Sequence, residues 1–251
     1  MKKLIFLIFS ISTVLYANAQ EVDSLLIKAN DFYTKAQYQD AINTYNNILG
    51  LGYESPEVYY NIGNAYYKEK GIALAILNYE KAVQLAPTDE DILYNLELTN
   101  RLVVDKIEVL PVFFITGWIR NLKSILTSDL WAIISLTSFI LTLVFISLFL
   151  YSRSVGLKKL SLVFTFFIII ISTISLIFSY QQKQAILNGN TAIVTSLSVT
   201  VKSSPDISGT DLFVVHEGTK VWIEDKISDW NEIKLSDGSI GWLKAENIEV
   251  I

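Results

Sequence analysis

The chain has 251 residues, 51% of them hydrophobic, and a mean hydropathy of +0.40, a balance that excludes an ordinary soluble protein and calls for membrane segments. Cysteine is absent and histidine occurs once, which removes disulfides, thiolate metal sites, thiol nucleophiles and paired-histidine zinc sites. The formal charge of −5 is uneven: residues 20–104 hold 6 basic and 12 acidic groups, residues 105–189 hold 7 and 3, and residues 190–251 hold 5 and 10, so two acidic parts flank a basic-edged apolar region and nucleic acid is not an expected partner.

Residues 1–19 read as a signal peptide: Lys2 and Lys3, an apolar run from Leu4 to Tyr16, then Ala17-Asn18-Ala19 before Gln20. The apolar core is short for a membrane span. An uncleaved anchor is the alternative and leaves the chain after residue 20 on the same side.

Residues 20–108 carry a periodicity of 34 residues. Leu25, Ala29, Phe32, Tyr33, Ala41, Tyr45 and Ile48 return as Tyr59, Gly63, Tyr66, Tyr67, Ala75, Tyr79 and Ala82. That period predicts two stacked helical hairpins, residues 22–55 and 56–89. Small Gly63 and Ala75 leave room at a helix crossing beside Tyr66 and Tyr79. The stretch YYNIGNAYYKEKGIALAILNYEKAVQLAP resembles the tetratricopeptide repeat. After Pro87, Thr88-Asp89-Glu90-Asp91 reads as a capped helix start. A third helix then runs to about Lys106, with Val109 where a small residue is needed and Pro111 breaking the pattern; it is expected to cap the array.

An aromatic groove is expected on the concave face, lined by Asn30, Tyr33, Tyr60, Asn64, Tyr67, Lys68, Tyr94 and Arg101. Ordinary packing between helices is the competing role for Tyr60 and Tyr67. Asn30 and Asn61 match two asparagines of the carboxylate-clamp class of tetratricopeptide repeats, but Leu26, Asp91 and Asn95 stand in place of its basic residues. An extended or helical peptide is therefore the expected ligand, not an acidic tail.

Residues 109–127 form an amphipathic segment, with Phe114, Ile115, Trp118, Ile119, Leu122, Ile125 and Leu126 at helical spacing and Arg120 and Lys123 opposite. This suits a helix lying in the membrane interface, with a buried core helix as the alternative. Residues 128–181 hold two uncharged apolar runs, 130–151 and 160–180, each long enough to cross a bilayer and joined by the short basic link Ser152–Lys159. A hairpin with Trp131, Tyr151 and Tyr180 as interfacial anchors follows. The absence of ionisable groups within the runs argues against an ion path.

Residues 190–251 alternate short β-branched and aromatic runs with turns: 191–194, 199–202, 212–216, 220–225, 230–235 and 240–243, with Asp237-Gly238 turning the last hairpin. VTVKSSP, HEGTKVWIED and WNEIKLSDGSIGWL resemble the bacterial SH3 domain. Lys202 replaces the usual Arg of the first block. Val199, Val201, Val221, Trp230, Ile233 and Trp242 are its expected core. His216, before Glu217-Gly218, is expected to be a solvated turn residue.

The chain lacks GxxxxGK[ST], GxSxG, HExxH and DxDxDG patterns, so no phosphate cradle, nucleophile elbow or metal box is expected, and neither enzyme activity nor a cofactor. The predicted fold class is a multidomain membrane protein: an all-α tetratricopeptide repeat array, a two-helix transmembrane hairpin and a small all-β SH3-like barrel. That order, together with YYNIGNAYYKEKG, LYNLELTNRL and WNEIKLSDGSIGWL, resembles the BatE family of Bacteroides aerotolerance proteins. The resemblance implies an inner-membrane protein with both soluble parts in the periplasm. It also implies von Willebrand A-domain membrane proteins as partners, a MoxR-type ATPase encoded nearby and a link to oxygen tolerance or envelope stress. The alternatives are a module that binds peptidoglycan through the SH3-like domain, and a membrane sensor or transport accessory.

Overall fold

The computed structural model describes residues 20–107 and 114–251. The expected signal peptide, and Val109 and Pro111, lie outside the described residues. The chain divides into two compact bodies. One contains residues 20–85, 89–107 and 191–251; the other contains residues 114–190 together with 86–88.

The first body opens with five helices: α1 (residues 20–34), α2 (Tyr38–Gly50), α3 (Pro56–Lys68), α4 (Ile72–Leu85) and α5 (Glu90–Asn100). The caps explain two of the starts. Ser55 Oγ accepts the Val58 N–H at 3.2 Å with Pro56 at the first helical position, where its missing N–H costs nothing. Asp89 Oδ1 accepts the N–H groups of Asp91 and Ile92, both at 3.1 Å, so the acidic run serves as a cap.

The 34-residue period is visible bond by bond. Tyr45 donates its hydroxyl to Asn30 Oδ1, and Tyr79 donates to Asn64 Oδ1 at 2.8 Å. Ala36 and Lys70 take positive φ, 58° and 65°, in the turns between paired helices. The Gln37 and Gly71 N–H groups then bond back to the Phe32 and Tyr66 carbonyls, both at 2.9 Å. At the α3–α4 crossing, a Cβ on Gly63 would lie 2.6 Å from Tyr79 Cε1, so the buried Tyr79 ring occupies the room that glycine leaves. Ala75, also fully buried, joins the core with Ile76, Leu77 and Tyr79.

α5 ends at Asn100, shorter than the expected run to Lys106. The chain leaves the helix there, and Val103 enters the α4 core while Ile107 packs on the sheet.

The sheet is antiparallel, in the order β3-β2-β6-β5-β4-β1-β7. Its strands are β1 (Thr191–Val194), β2 (Ser198–Lys202), β3 (Asp211–His216), β4 (Lys220–Ile227), β5 (Trp230–Lys234), β6 (Ile240–Lys244) and β7 (Ile248–Val250). Gly238, at φ 89°, turns β5 into β6. Val201, Val221, Ile233 and Leu243 are fully buried, with Trp230 and Trp242 at 9% exposure. β7 was not expected from the sequence; it pairs with β1. Strand β1 is buried on both faces: Ala192 and Val194 belong to the sheet core, whereas Ile193 belongs with Ile251 to the α4 core.

The second body consists of α6 (Phe114–Ser124), α7 (Ser128–Tyr151) and α8 (Val155–Asn188). α7 and α8 are long and apolar enough to cross a membrane. At 1.5 Å per residue α7 spans about 36 Å and α8 about 51 Å, against about 30 Å of hydrocarbon. They pack along a polar seam of small side chains. Ser135 Oγ donates to the Ser172 carbonyl at 2.9 Å and Ser172 Oγ to the Ser135 carbonyl at 3.0 Å, with Ser138, Thr142 and Ser175 buried as well. Phe145 stacks on Phe164 and Trp131 meets Phe178 edge-on, each at 5.2 Å between centroids. In a bilayer, where apolar surface provides no drive to associate, small residues and reciprocal hydrogen bonds hold such helices together.

Candidate functional site

A cleft of about 340 Å³ opens on the helical part of the first body. Tyr33 of α1, Tyr60, Asn64, Tyr67 and Lys68 of α3, Tyr79 of α4, and Asn95, Leu98 and Thr99 of α5 line it. Five of the eight expected groove residues therefore meet: Tyr33, Tyr60, Asn64, Tyr67 and Lys68. The other three do not line it. Asn30 is spent on the Tyr45 hydroxyl. Tyr94 is 66% exposed. Arg101 follows the last residue of α5 and pairs with Glu97 at 2.7 Å. The α5 face that reaches the cleft is Asn95, Leu98 and Thr99, an i, i+3, i+4 set. Expected Tyr94 stands one position before this set and Arg101 follows the helix end, so both belong to the neighbouring register of α5.

The floor of the cleft is a hydrogen-bonded chain. Asn64 Oδ1 accepts from Tyr79 Oη at 2.8 Å and from Asn95 Nδ2 at 3.0 Å, and Asn95 Nδ2 also donates to Tyr60 Oη at 2.9 Å. Burial pushes the Tyr33 and Tyr79 phenols above the ordinary tyrosine range, with neighbouring tyrosines adding to the effect. Both stay protonated at neutral pH, and Tyr79 donates its hydroxyl to Asn64. The lining contains no carboxylate, imidazole or thiol. It offers ring faces, amide and phenol hydrogen-bonding groups and the exposed ammonium of Lys68. Such a surface can hold main-chain and aromatic or aliphatic groups of an extended peptide.

A second cluster, missed in the sequence, joins the helical part to the sheet. Asp105 Oδ2 accepts the His216 backbone N–H and the Thr219 hydroxyl, and Asp105 Oδ1 pairs with His216 Nδ1, all at 2.7 Å. Burial opposes charge on Asp105, but the bonds from the His216 N–H, the Thr219 hydroxyl and the His216 ring outweigh it and hold the carboxyl below its usual range. His216 is thus engaged rather than a solvated turn residue. Beside it, Gly218 has φ 84°, and a Cβ there would come within 2.9 Å of Val103 Cγ2 and 3.1 Å of Ile76 Cδ1. Lys220 Nζ meets Glu80 at 2.7 Å. The signal was present in principle, in the lone histidine before a glycine turn. Its partner lies 111 residues away, and no local spacing connects them.

No protein-family model and no curated protein matches the chain.

Proposed function

We propose that the chain is a membrane-anchored scaffold of the bacterial envelope that holds an extended segment of a partner protein in the Tyr33–Tyr60–Tyr67 cleft. The observation that carries this reading is a cleft built from repeated hairpins, lined by aromatic rings and hydrogen-bonding groups, with no carboxylate, imidazole or thiol in its lining. The helical part is read as two tetratricopeptide repeats with α5 as cap. Its support is that the Tyr-to-Asn bond and the positive-φ turn both recur at a separation of 34 residues. The sheet is read as an SH3-like domain on the resemblance of its sequence blocks.

Residues 89–107 and 191–251 belong to one compact body, so an apolar hairpin that crosses a bilayer between them returns the chain to the side it left. With the expected signal peptide, that side is the periplasm, and the basic Arg153–Lys159 link is cytoplasmic. The resemblance to the aerotolerance family makes von Willebrand A-domain membrane proteins the partners to test.

Aromatic anchors often dominate interfaces, with truncation costing about 2 kcal/mol or more, which is about thirtyfold in affinity. A full-length Tyr60→Ala/Tyr67→Ala variant is therefore expected to lose its co-purifying membrane partners while keeping its circular dichroism. Unchanged recovery of partners, with binding of purified peptidoglycan that disappears on disrupting the sheet, would transfer the function to the SH3-like domain.

A further inference from the structure

We propose that α6 is a docking surface for anionic phospholipid headgroups, fixed at the bilayer boundary by side chains from both apolar helices. The inference rests on the reading that α7 and α8 cross a bilayer. The carbonyls at and just beyond the end of a helix lack intrahelical partners. Here the Lys123 carbonyl accepts from Trp131 Nε1 at 2.9 Å and from Gln182 Nε2 at 2.5 Å, and the Leu126 carbonyl accepts from Gln182 Nε2 at 3.0 Å. Trp131 lies at the start of the apolar run of α7, and Gln182 lies two residues past Tyr180, where the run of α8 ends. The C-terminal end of α6 is therefore pinned at the depth where hydrocarbon gives way to headgroups.

α6 is shaped for that depth. It buries no residue within the protein, and Ile115, Trp118 and Ile119 are 45%, 68% and 44% exposed. Polar Arg120, Asn121 and Ser124 fall on the opposite side of the helix at about 100° per residue. An apolar face that protein does not cover, next to membrane-spanning helices, is accounted for by acyl chains. The charge selects the headgroup. Arg120 and Lys123 on α6 and Lys183 beside Gln182 are three cations, against Asp129 as the one carboxylate from residue 114 to residue 190. Basic groups at this level favour anionic lipid over zwitterionic lipid. A free phosphate would satisfy the cations and leave Ile115, Trp118 and Ile119 in water, so the lipid is the better occupant.

The test uses the full chain in nanodiscs, and the absence of native cysteine permits single nitroxide labels at Ile115→Cys, Asn121→Cys and Leu143→Cys. The label at 115 is expected to be relaxed by oxygen and shielded from a nickel chelate, and the label at 121 the reverse. A water-accessible label at 115 beside a hydrocarbon-buried label at 143 overturns the α6 proposal and leaves the spanning reading intact. Water access at 143 overturns the spanning reading itself. Headgroup selection is read as quenching of a fluorophore at position 115 by headgroup-labelled phosphatidylglycerol relative to phosphatidylcholine. The ratio is expected to exceed about twofold and to fall toward one in Arg120→Gln/Lys123→Gln/Lys183→Gln. A ratio near one in the parent, or an unchanged ratio in the triple variant, contradicts the proposal.

Discussion

Two residues illustrate how much one atom decides. Gly63 meets the fully packed Tyr79 ring, whose hydroxyl is tied to Asn64 and cannot swing away. Gly63→Ala is expected to cost about 1–3 kcal/mol as an overpacked contact, read as a lower thermal midpoint of the detergent-solubilised protein. An unchanged midpoint would show that the crossing has slack. Asp105 gives a pH dependence. Its folded carboxyl is held low, so its contribution is present above the ordinary aspartate value of about 3.9 and is lost as pH falls through the lowered folded value. Urea unfolding followed by Trp fluorescence is expected to show a stability loss below about pH 4 that Asp105→Asn reduces. At neutral pH Asp105→Ala leaves the His216 N–H and the Thr219 hydroxyl without their acceptor, a loss of about 2–3 kcal/mol. The glycine at a helix crossing was legible from the repeat, because size codes survive in one dimension. The aspartate was not, because its role depends on a bond across 111 residues.

At the scale of elements, periodic features were legible and terminations were less so. Both helical hairpins, both apolar helices and six of the seven strands can be read from the 34-residue repeat, continuous apolar runs and alternating β-branched residues. The end of α5 and the short strand β7 could not, since both are set by tertiary contact: Val103 leaves the helix to enter the α4 core, and β7 exists by pairing with β1. In the cleft, the α3 residues were placed by the repeat, whereas Asn95 and Leu98 come from a helix outside it. The apolar hairpin offers its own test. The Ser135–Ser172 exchange of hydrogen bonds is worth about 0.6 kcal/mol per bond in membranes, so Ser172→Ala should change little. Ser172→Leu places a branched side chain at a seam where Ser135 lies in contact, and is expected to separate α7 from α8. A distance between spin labels at Leu143→Cys and Phe166→Cys that stays unchanged in Ser172→Leu would contradict the packed seam.

For the whole molecule, the bonds of Asp105 to His216 and Thr219, together with Ile193 and Ile251 in the α4 core, bind the N-terminal and C-terminal parts into one body. A chain that builds one body from both ends must cross a membrane an even number of times between them. Single cysteines at Ser236 and Ser154 test this: Ser236→Cys is expected to react with an impermeant maleimide in periplasm-accessible cells and Ser154→Cys is not, with the opposite pattern excluding a periplasmic body. The claim of a partner-holding cleft is tested most directly by a photo-crosslinking phenylalanine analogue in intact cells, placed at Tyr67, which lines the cleft, or at Tyr94, which is exposed on α5 and does not. The scaffold reading requires a discrete membrane-protein adduct from position 67 and none from position 94. Adducts of equal yield from both positions, or none from position 67, would contradict it.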